Sequence, residues 1–275
     1  MTDHIARERI RREVHRRVDP VIIDTDPGLG LPHTDVDDAI AIYTLVKGGA
    51  PIAGLTSTYG NTSITRTHPI TEELGKRWNI PVFRGASGPG DVATAATEAL
   101  LAHTGSVLAI GAMTNIAAAL DGGARWSQLI LLGGTVAAGP NIRGLRTTEL
   151  NFAVDEPAAA RALSACTTLF SMEPCRQVLF RAAEFAALPA WMEQRCRGWL
   201  RLGPLMTGHR GVHPWDVLPA MWLLKPDLFR SEKRGVALRS GALTRGHIAY
   251  GDGEVDVITH VDAPAFVNAW RSVIE

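Results

Sequence analysis

Six short runs rich in Val, Ile and Leu punctuate the chain: Val21 to Ile23, Ile52 to Thr56, Val82 to Phe83, Val107 to Ile110, Leu129 to Leu132 and Thr168 to Phe170. Between them Asp38 to Lys47, Thr65 to Trp78, Asn115 to Leu120 and Glu156 to Ala165 read as helices, several entered through Asp, Thr or Asn and left through Gly. Runs that are apolar throughout, rather than at every second residue, suit strands buried on both faces. Their alternation with helices predicts an α/β fold, a Rossmann-like, mostly parallel sheet with helices on both faces. The stretch from Glu184 to Trp222, with Trp191, Trp199, Trp215 and Trp222 among clustered Pro and Gly, reads as a helical and loop cap over the C-terminal ends of the strands. Val255 to Ile258 and Asp262 to Ile274 read as a final strand and a closing helix. The expected organisation is one domain over residues 1–275, with a basic extension over 1–19.

Charge narrows the partners. Lys plus Arg and Asp plus Glu both number 28, which leaves no long-range field to draw nucleic acid or an anionic membrane. Arg7, Arg11, Arg12, Arg16 and Arg17 read as a solvated helix or a frayed terminus rather than a nucleic-acid arm. Cys166, Cys175 and Cys196 are odd in number and form no CxxC pair, which argues against a disulfide framework and a zinc knuckle. No apolar run approaches the length of a membrane span and the N-terminus lacks the apolar core of a signal peptide, so a cytoplasmic protein with a small-molecule substrate is expected.

In such sheets ligands sit beyond the carboxyl ends of the strands. There the chain places Asp24-Thr25-Asp26, Tyr59-Gly60-Asn61, Met113-Thr114-Asn115 and Gly133-Gly134. From Asp24 to Asp38 it carries five carboxylates, at positions 24, 26, 35, 37 and 38. Gathered without a counter-charge they would repel, and a hard divalent cation held by oxygen ligands is the economical remedy. Pro27, Gly28, Gly30 and Pro32 supply turns that fold the carboxylates toward one point. Helix capping would account for Asp37 or Asp38 alone, but not for a DxD on the end of a buried strand.

These residues resemble the inosine-uridine-preferring nucleoside hydrolase family, whose N-terminal signature is DxDPGxDDAxA. Asp24-Thr-Asp-Pro-Gly28 and Asp37-Asp-Ala-Ile-Ala41 match its two halves, and Leu29 to Val36 form an insertion between them. Tyr59-Gly60-Asn61 is similar to the family's GN, Gly111-Ala-Met-Thr-Asn-Ile-Ala117 to its GPLTNLA, and Leu131-Leu-Gly-Gly134 to its MGG. Glu149-Leu-Asn-Phe-Ala-Val-Asp-Glu-Pro-Ala-Ala159 resembles EFNxxxDPEAA, and Asp216 with Pro226-Asp-Leu-Phe229 extends the likeness over most of the chain.

The resemblance implies calcium-dependent hydrolysis of the N-glycosidic bond of a ribonucleoside to free base and ribose. It implies calcium bound by Asp26, Asp38, Asp216 and the carbonyl of Thr114, with Asp24 supporting Asp26. Asp37 would be the general base for the attacking water on the metal, since calcium alone acidifies water only modestly. The sugar passes through an oxocarbenium-like state, so its hydroxyls must be held tightly. By resemblance Asn61 and Asn151 bind them, Asp37 and Asp216 also reach them, and Glu149 takes the 5' side. A homodimer or homotetramer is implied as well.

Two departures stand out. Arg143 occupies the place of an asparagine six residues before the family's glutamate, which makes Asn141 the candidate for the 5'-hydroxyl and Arg143 or Arg146 candidates for a charged or larger substituent. In His213-Pro-Trp-Asp216, Trp215 stands where many members have the histidine that protonates the leaving base. Indole cannot supply that proton but can stack on a base, so His213 or His209 is expected to act as the acid. The rival readings are a sugar or nucleoside binder that keeps the metal site with little turnover, and a magnesium-dependent phosphatase. The phosphatase reading matches DxD and Gly251-Asp-Gly-Glu-Val-Asp256, but that late segment reads as a hairpin turn leading into a strand rather than a strand leading into a helix.

Overall fold

A computed structural model describes residues 19–32, 34–136, 149–207, 211–239 and 245–275. The basic segment through Arg17, and Asn141, Arg143, Arg146 and His209, lie outside the described residues. Eight strands form one sheet: β1 (Val21–Thr25), β2 (Ile52–Ser57), β3 (Val82–Arg84), β4 (Ser106–Ala109), β5 (Gln128–Leu132), β6 (Thr168–Phe170), β7 (Phe229–Leu238) and β8 (Ile248–Val261). Their order is β3-β2-β1-β4-β5-β6-β8-β7. Every pairing is parallel except the antiparallel β7–β8 edge.

Residue alternation along the strands divides the core in two. Val21, Ile23, Leu108, Ile110, Ile130, Leu132 and Phe170 belong to one cluster, with apolar residues of helices α1 (Asp37–Gly48), α2 (Ile64–Trp78), α10 (Val217–Leu224) and α11 (Ala263–Ile274). Ile22, Val107, Ala109, Leu129, Leu131 and Leu169 belong to the other, with α3 (Ala95–Ala102), α4 (Thr114–Asp121) and α6 (Glu156–Leu163). Because successive strand residues point to opposite faces, these two clusters are the two faces of the sheet, each covered by helices.

Successive strands are added outward in one direction from β1 to β3 and in the other from β4 onward, so the strand order reverses between β1 and β4. The ends of β2, β1 and β4 therefore open onto one crevice, the usual place for a ligand in such sheets. Short helices α5 (Leu150–Ala153), α7 (Met172–Cys175) and α8 (Ala182–Ala186) and the long α9 (Ala190–Thr207) make up much of the remainder. Of the segment expected to form a cap, α10 is instead a core helix packed on α1, with Val217, Leu218, Ala220 and Met221 buried.

The segment Gly251 to Asp256 is not a hairpin turn. It lies within β8, where the register with β7 slips between Arg234 and Gly235 so that the extra residues of β8 bulge outward. Strand, bulge and strand provide no helix start for a phosphatase motif. No helix among the described residues is long and apolar enough to cross a membrane, and the three cysteines are free and buried.

Candidate active site

Strand alternation distributes the first carboxylates. Asp24 points to the face that carries α4 and Thr25 to the face that carries α1. Asp24 Oδ1 accepts from Thr56 Oγ1 at 2.6 Å and from Asn115 Nδ2 at 2.8 Å. Its Oδ2 is buried without a hydrogen-bond partner. Burial raises the Asp24 carboxyl to about 7, against the two hydrogen bonds that lower it. Thr25 Oγ1 donates to Asp38 Oδ1 at 2.6 Å, and the backbone N–H of Asp26 donates to the same oxygen at 3.1 Å.

Helix α1 begins without a side-chain cap, since its N-cap residue is Val36. Asp37 and Asp38 in its first turn are thus not cap residues; they turn inward toward Asp216, which opens α10. One carboxylate oxygen from each of Asp37, Asp38 and Asp216 lies within 4.8 Å of the others. The backbone N–H of Asp216 donates to Asp37 Oδ2 at 3.2 Å. The packed helices α1 and α10 therefore aim two N-termini at the cluster, and the positive ends of their dipoles favour carboxylates there.

Asp26, just after β1, stands outside the three oxygens that converge within 4.8 Å, although its charge and those of Asp38 and Asp216 bear on one another. Its Oδ2 accepts the backbone N–H of Asn61, and Gly60 and Gly111 leave room for the carboxylate. A Cβ at Gly60 would fall 2.2 Å from Asp26 Oδ2, and one at Gly111 3.2 Å from Asp26 Oδ1. Thr114, at the start of α4, donates its hydroxyl to Asp155 Oδ2 at 2.6 Å and meets the Tyr59 hydroxyl at 3.0 Å.

Asp26, Asp37, Asp38 and Asp216 are 3%, 4%, 2% and 6% exposed, too little for water to solvate four charges. Burial, and after it the neighbouring carboxylates, pushes Asp26, Asp37 and Asp216 well above the usual range. Asp38, eased by its bonds from Thr25 and Asp26, rises to about 6. This is the signature of a cluster short of positive charge. Oxygen donors alone, gathered from the starts of α1 and α10 with one buried oxygen of Asp24 left unpartnered, fit a hard divalent cation.

The residues expected to hold the sugar have further occupations. Asn61 Oδ1 accepts the backbone N–H of Asp35 at 3.1 Å and its Nδ2 donates to the Asp35 carbonyl at 3.3 Å. Its amide thus clamps the insertion. Asn151 Nδ2 donates to the carbonyls of Ile110 and Leu132 at 3.0 and 3.1 Å, tying β4 to β5. Glu149 caps α5, its two oxygens accepting backbone N–H groups of Asn151, Phe152 and Gly134. Burial outweighs those three bonds and raises Glu149 to about 7. His213 Nδ1 lies 2.7 Å from the carbonyl of Val178, to which it donates, and its ring sits 5.1 Å from that of Trp215.

Sequence reasoning assigned no task to Asp35, Asp155, Asn115 or Trp199. Asn115 and Asp155 lay inside recognised motifs, and their partners 91 and 41 residues away become visible only once β1, β4 and β5 are side by side. Asp35 Oδ1 accepts the indole N–H of Trp199 in α9 at 3.0 Å, and its charge bears on Asp26, Asp37, Asp38 and Asp216. The density of aspartates around it was the only signal available.

The description "Inosine-uridine preferring nucleoside hydrolase" belongs to a family model that matches residues 21–268. No curated protein matches the sequence. Among solved structures the chain is similar to a plant nucleoside hydrolase, at 19% identity and a TM-score of 0.80 over 93% of this chain and 98% of that one. It is similar to a purine-preferring ribonucleoside hydrolase from Gardnerella vaginalis, at 19% identity and a TM-score of 0.78 over 93% and 98%. It is also similar to an inosine-uridine preferring nucleoside hydrolase from Bacillus anthracis, at 18% identity and a TM-score of 0.73 over 94% and 99%. At these identities the likeness is one of fold.

Proposed function

The chain belongs to the inosine-uridine preferring nucleoside hydrolase family, enzymes that cleave the N-glycosidic bond of nucleosides, and on that premise we propose a calcium-dependent nucleoside N-ribohydrolase with Asp37 as its general base. The observation that carries the proposal is the convergence of Asp37, Asp38 and Asp216 oxygens within 4.8 Å at the crevice where the strand order reverses.

Asp26, Asp38, Asp216 and the Thr114 carbonyl would hold the cation, with Asp24 behind Asp26. When bound, calcium would supply positive charge that orients a water and makes its proton easier to remove. Asp37 takes that proton. Its carboxylate is oriented by the Asp216 N–H toward the converging oxygens of Asp38 and Asp216. The water oxygen bonds to the anomeric carbon while the bond to the base nitrogen breaks, its electron pair leaving with the base. The surrounding carboxylates stabilise the positive charge that develops on the sugar. Asn61, Asn151 and Glu149 would hold the ribose hydroxyls, and Asn141 is proposed for the 5'-hydroxyl.

His213 is proposed to protonate the departing base. Its Nδ1–H is directed at the Val178 carbonyl, so the Nε2 proton of the imidazolium is the one it can release. Trp215, whose ring lies beside it, would stack on the base. The proposed setting is cytoplasmic and the assembly a homodimer or homotetramer.

Ribose release from a panel of purine and pyrimidine nucleosides tests the reading. Activity should vanish on chelation, return with calcium better than with magnesium or zinc, and fall about 10²- to 10⁴-fold in Asp37→Ala. Undiminished turnover in Asp37→Ala, or no ribose from any nucleoside with calcium supplied, would overturn it.

A further inference from the structure

The segment Leu29 to Val36 separates the two halves of the family signature, and it brings its own carboxylate to the site. Three sets of contacts hold it. Thr34 Oγ1 donates to the carbonyls of Gly28 at 2.7 Å and Leu31 at 3.0 Å. Asn61 bonds both the N–H and the carbonyl of Asp35. Trp199 reaches across from α9 to Asp35 Oδ1. The Asp35 carboxylate is thus fixed in place rather than trailing in solvent.

Its exposure differs from that of its neighbours. Asp26, Asp37, Asp38 and Asp216 are buried, whereas Asp35 is partly accessible. Oδ1 faces the indole, and Oδ2 takes no hydrogen bond among the described residues. No Lys or Arg among the described residues pairs with it. Arg195 touches the insertion, its stem 3.4 Å from where a Gly30 side chain would begin, and it is paired with Glu73 at 2.7 Å. Asp26, Asp35, Asp37, Asp38 and Asp216 together outnumber the charge of one divalent ion, and Asp35 is the least buried of the five.

Resting on the reading of this site as a nucleoside hydrolase centre, we propose that Asp35 selects ribosides whose base carries a positive charge, such as N7-alkylated purine nucleosides and N-ribosylpyridinium compounds. A neutral nucleoside offers Asp35 no formal charge until the transition state, while a cationic base is attracted from the first encounter. The chemistry closes without a proton donor. The bond from the anomeric carbon to the cationic nitrogen breaks, its electron pair neutralises the base, the water oxygen bonds to the sugar, and the water proton goes to Asp37. Such substrates suit a site in which Trp215, not an acid, adjoins Asp216.

The test compares kcat/KM for 7-methylinosine against inosine and for nicotinamide riboside against uridine, in the wild-type protein, Asp35→Asn and Asp35→Glu. Calcium affinity is measured by calorimetry on each. The greater intrinsic lability of the cationic substrates cancels when the ratios are compared between variants. The cationic-to-neutral ratio should fall about tenfold in Asp35→Asn and recover in Asp35→Glu, with calcium affinity within about twofold. In the wild type, added salt should raise KM for the cationic members and leave it steady for the neutral ones, a readout that needs no folded variant. Ratios unchanged in Asp35→Asn, KM values insensitive to salt, or a loss of calcium affinity that accounts for the change would overturn the assignment to Asp35 while hydrolysis of the neutral pair still stood. Failure to release ribose from all four substrates would instead bring down the underlying reading and this one with it.

Discussion

Gly60 shows how a residue without chemistry of its own can govern the site. It has a φ of +148°, a conformation that L side chains rarely adopt, and its α-carbon lies against the carboxylate of Asp26. Gly60→Ala would add strain of about 1 to 3 kcal/mol and push Asp26 away from Asp38. Calcium affinity should fall by about tenfold or more, the usual scale for disturbing a ligand's support. Calorimetric titration checks this, and an unchanged affinity would show that Asp26 is not among the ligands. His213 invites a different comparison. With Nδ1 committed to Val178, His213→Ala should slow inosine hydrolysis about 10²-fold or more and barely affect 4-nitrophenyl riboside, whose leaving group needs no proton. Equal losses on both substrates would remove His213 from the role of acid.

At the scale of elements, α9 meets the insertion through the stem of Arg195 at Gly30 and through one hydrogen bond among the described residues, from Trp199 to Asp35. Trp199→Phe keeps an aromatic ring in the core and leaves Asp35 Oδ1 without its donor, a cost of about 1 to 3 kcal/mol. Hydrogen exchange at residues 29–36 should accelerate more than at the strands, and uniform acceleration would mean that the insertion does not depend on α9. The same element shows where sequence reasoning ends. β1, β2, β4, β5 and β6 were legible because continuous Val, Ile and Leu runs are buried on both faces, α1, α2 and α4 because Gly49, Asn79 and Gly122 end them, and α6 and α11 because Asp155 and Asp262 cap their starts. β7 went unread: its exposed Arg230, Ser231, Glu232 and Lys233 give no apolar run, as expected of an edge strand that faces water. α3, an alanine-rich helix capped by Thr94, was missed between two loops. In the site, local motifs identified Asp26, Asp37, Asp38 and Asp216. The clamp of Asn61 on Asp35 joins residues 26 apart in the chain, and the bond from Trp199 to Asp35 residues 164 apart; neither had a signature to read.

For the whole molecule, the buried carboxylates make stability depend on pH, and with the proposed metal bound the two dependences would couple. Asp38 at about 6, and Asp24 and Glu149 at about 7, all lie above the values of an unfolded chain. A group raised on folding contributes stability that is complete below its unfolded pKa and is lost as pH climbs through its folded pKa. The metal-free protein should therefore weaken steadily between about pH 4 and pH 7, since each group raised by 2 to 3 units costs on the order of 3 kcal/mol once ionised. If calcium binds as proposed, it would reverse the sign for the carboxylates it meets, because a cation favours their charged forms and would bind the folded chain alone. At a concentration about a hundredfold above its Kd it should contribute close to 3 kcal/mol, or a rise in Tm on the order of 5 to 10 °C for a chain of this size. The gap in Tm between calcium-loaded and chelated protein should thus be small at pH 5 and widen toward pH 8. Thermal unfolding across that range, with and without chelator, measures it directly. Glu149→Gln separates the contributions: Glu149 titrates apart from the proposed ligands, so the variant should flatten part of the metal-free slope and leave the widening gap in place. A gap that stayed constant with pH would mean that the Asp37, Asp38 and Asp216 cluster is not where calcium acts.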